Sequence, residues 1–182
     1  MKYKQNASIG LRLPAGLVAF FVVCLFAGSG QAQSGACRLQ PDKHNPSEQV
    51  LRCGEELTVT PAPGSAYHPV NTAPGHPPSS VRLDNGALLC TFHPAVRPGH
   101  FQILTPQAIA SVRGTTWAVE VKPGRTSVLV LTGVVGVTSA NAAFTAVVRE
   151  GQGVDVDSQG GPLQVKRWSS ARKRALLARF GR

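Results

Sequence analysis

The stretch from Thr105 to Val137, TPQAIASVRGTTWAVEVKPGRTSVLVLTGVVGV, constrains the fold more than any other part of the chain. Ala108, Ala110 and Val112 alternate with Gln107, Ile109, Ser111 and Arg113. Trp117, Val119 and Val121 alternate with Thr116, Ala118, Glu120 and Lys122. A period of two is the signature of half-buried strands, because successive strand side chains point to opposite faces. Arg113-Gly114-Thr115 interrupts the alternation, which predicts a tight turn or bulge that a side chain at 114 would obstruct. Lys122-Pro123-Gly124 is turn chemistry, Pro fixing φ and Gly accepting positive φ, so the strand ending near Val121 should fold back on one beginning near Thr126. Val128 to Leu131 is apolar on both faces. A strand of that kind must be covered on both sides, or lie in a tightly closed barrel or coil.

The same residues carry a resemblance. Thr105-Pro106, Ala108, Ala110, Val112, Arg113-Gly114-Thr115, Trp117 and Val119, followed after the turn by Thr126, Val128, Val130, Leu131, Gly133, Val135 and Val137, resemble the FecR domain. The resemblance implies a periplasmic module of the kind known from iron-transport signalling, where a transporter's state is passed to a sigma factor. It implies a single twisted, coil-like all-β domain of many short strands and leaves a sandwich open. Within the motif, Thr105, Pro106, Arg113, Gly114, Thr115 and Trp117 are the candidate partner surface. Arg113 reads either as an anion-binding or partner-contacting guanidinium or as a lock on turn carbonyls. Trp117 reads as a core anchor.

Met1 to Ala32 has the form of a secretory signal peptide, with Lys2, Lys4 and Arg12 ahead of an apolar run from Ala15 to Ala27 and small residues at Gly30-Gln31-Ala32. The run is short for a membrane span, which needs about 20 residues. Cleavage after Ala32 and a periplasmic or secreted product are expected, with an uncleaved inner-membrane signal anchor as the alternative. Export removes Cys24 and leaves Cys37, Cys53 and Cys90. Cys37 and Cys53 flank a polar segment and should form a disulfide in an oxidising compartment, contributing about 3 kcal/mol by constraining the unfolded chain. Cys90, in a strand-like run, should remain a buried thiol.

Residues 33–80 read as a disulfide-bridged segment with short strands in Leu51 to Thr60, then a Pro-rich irregular loop from Pro61 to Ser80. The β domain is expected over 81–165. It begins with Val81-Arg82-Leu83, an Asp84-Asn85-Gly86 hairpin turn and a strand from Ala87 to Phe92. Pro94 to Gly99 is a further loop, His100 to Leu104 a short strand, and Ala143 to Val148 and Val154 to Asp157 two more. His68, His76, His93 and His100 match no metal-ligand spacing, so they read as solvated loop histidines and neither metal nor cofactor is expected.

The formal charge of +10 is unevenly placed. Gln33 to Val165 holds 9 basic and 9 acidic residues, whereas Lys166 to Arg182 holds 7 basic residues and no acid. Lys166, Arg167, Arg172, Lys173, Arg174 and Arg179 are therefore candidate contacts for anionic lipid or lipopolysaccharide. The tail could be helical or a flexible solvated terminus, since its helical wheel is not cleanly amphipathic. Nucleic acid does not fit an exported chain without interleaved aromatics.

No nucleophile elbow, phosphate loop or metal-ligand helix is present to carry catalysis, and a histidine-dependent hydrolase is the enzyme reading set aside. Signalling members of the family have a long cytoplasmic segment before the hydrophobic run and a further domain after the β domain, and neither is read here. The expectation is an exported interaction or sensor module that binds a periplasmic or envelope protein, or a ligand, without catalysis. The alternatives are a membrane-anchored regulator of iron-transport signalling and an envelope-tethered structural protein.

Overall fold

The computed structural model describes residues 37–43, 45–70, 76–93 and 100–182. The expected signal peptide lies outside them, as do the loop at 94–99 and part of the Pro-rich loop at 71–75. The described chain is all-β with one short helix, and a single strand organises it. β5 (Ser80–Phe92) is thirteen residues long and belongs to two sheets in succession.

Its first half pairs antiparallel with β4 (Ala66–Val70) and parallel with β6 (Phe101–Leu104). Its second half, from Gly86, pairs antiparallel with β3 (Leu57–Pro61) and β8 (Thr115–Lys122). The hairpin expected at Asp84-Asn85-Gly86 therefore does not form. Gly86 adopts φ +95°, and a β-carbon there would lie 2.6 Å from the Ser65 Cα. Ser65 Oγ clamps the bend, donating to Ala87 O at 3.0 Å and accepting from Ala87 N at 2.9 Å. The turn chemistry is present, but it takes the strand round a corner between sheets where a reversal was expected.

Sheet A runs β1-β2-β3-β5-β8-β9-β12-β13. Here β1 is Cys37–Pro41, β2 Gln49–Cys53, β9 Arg125–Thr132, β12 Gln152–Asp157 and β13 Lys166–Arg167. Sheet B runs β11-β10-β7-β6-β5-β4, with β7 at Ala108–Val112, β10 at Val134–Ser139 and β11 at Thr145–Arg149. The segment expected as an irregular loop after Pro61 thus contains β4. Its Pro69 is tolerated because β4 is an edge strand, whose outward side needs no donor.

The inner faces of the two sheets enclose the main core, in which Trp117, Phe101, Leu57, Leu83, Leu88 and Ile103 are fully buried. Phe101 meets the Trp117 ring edge-on at 5.9 Å between centroids. The Cys37–Cys53 disulfide joins the facing ends of β1 and β2, and Cys90 is a free, buried thiol.

The outer face of sheet A is also buried. Ala87, Leu89, Ala118 and Leu129 pack beneath Trp168, Leu176 and Phe180 of the C-terminal segment, whose helix α1 spans Ser170–Ala178. Ser169 caps that helix by accepting from Arg172 N. This is the cover that the two-sided apolar run in β9 requires. The tail is an ordered part of the body.

Candidate functional site

The motif residues separate to the two ends of β7. At one end Thr105, buried, donates to Ala108 O at 2.8 Å and accepts from Ala108 N at 2.9 Å. Thr126 Oγ1 lies 2.8 Å from both Thr105 Oγ1 and Gln107 Oε1, tying the β6–β7 turn to the start of β9. Pro106 is exposed there and borders a shallow cleft of about 160 Å³ with Asn141 and Asp157. At the other end Gly114 takes φ +74° and Thr115 Oγ1 donates to Val134 O at 3.0 Å. Gly133, at φ +89°, lets that turn close, since a β-carbon on it would sit 2.7 Å from Gly114 O. A five-residue strand separates the ends, roughly 17 Å.

Thr105, Gly114, Thr115 and Trp117 thus hold the scaffold, and Trp117 is wholly buried. Arg113 is exposed. Because Val112 pairs with Val135, and Val134 with Arg149, Arg113 falls in line with exposed Val134 and exposed Arg149 on the outer face of sheet B. That face has no counterpart to α1 among the described residues. Val134 is 42% and Val147 56% exposed on it.

The tail residues divide into two sets. Arg172 Nη2 reaches Asp155 Oδ1 at 2.5 Å, and its guanidinium stacks 3.5 Å above the Trp168 ring. Arg179 Nη1 reaches Glu120 Oε1 at 2.5 Å, while Lys122 Nζ lies 2.9 Å from the other oxygen. Burial acts most strongly on Asp155 and alone would raise its pKa. Hydrogen bonds from Arg172 and Ser127, with the charges of Arg172 and Arg125, outweigh it and hold the carboxyl below its ordinary value. Glu120, Lys122, Arg125, Ser127, Arg172 and Arg179 line a cleft of about 250 Å³ between α1 and β8–β9. Arg167 and Lys173 instead line a second cleft with Glu150 and Gly151, and Lys166 and Arg174 are exposed.

His68 lies on β4, its Nδ1 3.7 Å from Asp84 Oδ2, while His76, His93 and His100 are exposed. Among the described residues, no three of His, Cys, Asp and Glu gather as a metal site would require. Burial pushes the Cys90 thiol well above its usual pKa, and raises Tyr67, assisted by Cys90 and Glu48.

Sequence reasoning missed Glu120, Asp155 and Ser127 as the polar seat of the tail, and Gly153, whose lack of a side chain makes room for the Trp168 ring. The signal lay in two places read separately. Leu129 and Leu131 needed an outer cover, and Trp168, Leu176 and Phe180 needed a surface.

The family described as FecR protein matches residues 46–136, half of the chain. Comparison with curated proteins finds no match. Among solved structures, the chain is similar to a protein of Parabacteroides distasonis ATCC 8503, provisionally described as an anti-sigma factor and solved at 1.65 Å and 2.50 Å. Identity is 15% and the TM-scores are 0.52 and 0.53, over 80% of this chain. The chain spans 62% of the length of those structures.

Proposed function

The chain belongs to the FecR family, and from that premise we propose that it is an exported signal-transduction module that binds a protein partner outside the cytoplasm, without catalysis. The observation that carries this reading is the family match, which runs from just before β2 into β10 and so takes in the corner strand and most of both sheets. The geometry supports a binding role. One sheet spends its outer face on the chain's own tail, whereas the other leaves Val134, Val147 and two arginines in solvent.

Cell fractionation with mass spectrometry of the product tests export. A periplasmic species beginning at Gln33, lighter by two hydrogens for its disulfide, is the expected result. An intact N-terminus in the inner-membrane fraction would replace it with a membrane-anchored regulator. Affinity capture from periplasmic extract tests binding, and recovery of no specific protein would remove the module reading.

A further inference from the structure

A sheet edge invites another strand unless something blunts it, and natural edges carry Pro, charge, bulges or very short strands for that reason. Among the described residues, three of the four sheet edges are blunted. β1 carries Arg38 and ends in Pro41, β4 carries Pro69 and a register shift beside Tyr67, and β13 is two residues long. β11, TAVVR, has no Pro, no bulge and one charge at its end.

Its hydrogen-bonding direction follows from its neighbours. Phe144 pairs inward with Ser139, and Arg149 N turns away from β10 to donate to Gln152 Oε1 at 2.9 Å. In an antiparallel ladder these directions alternate. Ala146 and Val148 therefore bond to β10, and Thr145 and Val147 present their amides and carbonyls outward. Gln152 caps the Arg149 amide, so among the described residues the open part of the edge is Thr145 to Val147. The exposed Val147 side chain stands on the outer face beside it.

The charge there has one sign. Arg149 flanks the edge, and Arg113 continues the same cross-strand row behind Val134. Glu150, the nearest acid in sequence, lines the cleft of Arg167 and Lys173 on the sheet A side. We propose that β11 is a docking edge for an extended acidic segment of another protein, which adds as a further strand of sheet B. Main-chain bonds to Thr145 and Val147 would hold it, an apolar side chain would rest on Val147, and its acids would meet Arg149 first and Arg113 at longer range. This rests on the binding-module reading and names the partner's chemistry.

The test uses the full chain and a synthetic peptide that repeats Glu-Thr-Val-Thr, which puts glutamate and valine on one face of the added strand, with the same repeat carrying lysine for glutamate as control. The acidic peptide should bind at least about tenfold more tightly than the control. Binding should weaken with salt and slow hydrogen exchange at the Thr145 and Val147 amides. Val147→Pro removes only an outward donor, so it should keep the wild-type circular dichroism and lose the peptide. Arg149→Gln should cost more affinity than Arg113→Gln. Equal binding of both peptides, binding undiminished in Val147→Pro, or a dimer that Val147→Lys dissolves would each overturn the proposal. A periplasmic protein captured equally by wild type and Val147→Pro would overturn this edge yet leave the binding module standing, whereas capture by neither removes both.

Discussion

Gly153 is where the largest apolar side chain of the tail meets the backbone of the sheet. A β-carbon there would overlap the Trp168 indole and come within 2.7 Å of Val128 O, so the ring lies on β12 only because position 153 has no side chain. Gly153→Ala should displace Trp168 and lower stability by about 1–3 kcal/mol, in the range of overpacked cores. Denaturant midpoints of the two proteins check this, and an unchanged midpoint would mean that the indole does not depend on that contact. Cys90 makes a second case at the same scale. It is wholly buried on β5 and its thiol is held protonated by that burial. A thiol reagent at pH 8 should leave Cys90 unmodified in the native protein and label it fully in denaturant.

The C-terminal element is held by apolar burial more than by its charges. Exposed ion pairs contribute about 0–1 kcal/mol each, whereas burying a side chain such as Leu176 or Phe180 contributes about 1.5–3 kcal/mol. Trp168→Ala should therefore cost about 3–5 kcal/mol and Arg172→Gln much less, by urea denaturation at pH 7. The smaller effect carries a pH signature. Asp155 is held below its ordinary pKa, so its pairing stabilises the fold above the unfolded carboxylate value of about 3.9 and is lost as pH falls through the native value. The gap between wild type and Arg172→Gln should close on acidification from pH 7 to below that range. A gap that persisted there would remove Asp155 as the arginine's partner.

The elements differ in how far the sequence exposed them. β7, β8 and β9 were legible because their alternation and the Pro123-Gly124 turn are local facts, and local chemistry sets them. The corner in β5 was not. Asp84-Asn85-Gly86 allows either a reversal or a bend, and the choice is made by Ser65, nineteen residues earlier, which receives the bend. The tail was hidden for a related reason. Its charges dominate any wheel drawn for it alone, and Trp168, which anchors it, lies outside the helix. Of the candidate site, Arg113 could be singled out early, but its companion Arg149 depends on the pairing of β10 with β11, a contact that composition does not encode.

At the scale of the whole molecule, the docked tail changes what its positive charge can do. Arg172 and Arg179 are engaged by Asp155 and Glu120, so any attraction to an anionic surface would fall to Lys166, Arg167, Lys173, Arg174 and Arg182. Each basic residue near an anionic surface is worth about 1 kcal/mol, and the attraction fades within a Debye length. Binding to vesicles containing anionic lipid should therefore fall when Lys173 and Arg174 are both replaced by Gln, with little change in thermal midpoint. Arg179→Gln should do the reverse, loosening the fold while leaving much of the vesicle binding. Sedimentation with vesicles at low and physiological salt separates the two. If Arg179→Gln weakened vesicle binding as much as the double substitution, Arg179 would have to leave Glu120 at the surface, and the tail would act as a detachable arm instead of a fixed cover over sheet A.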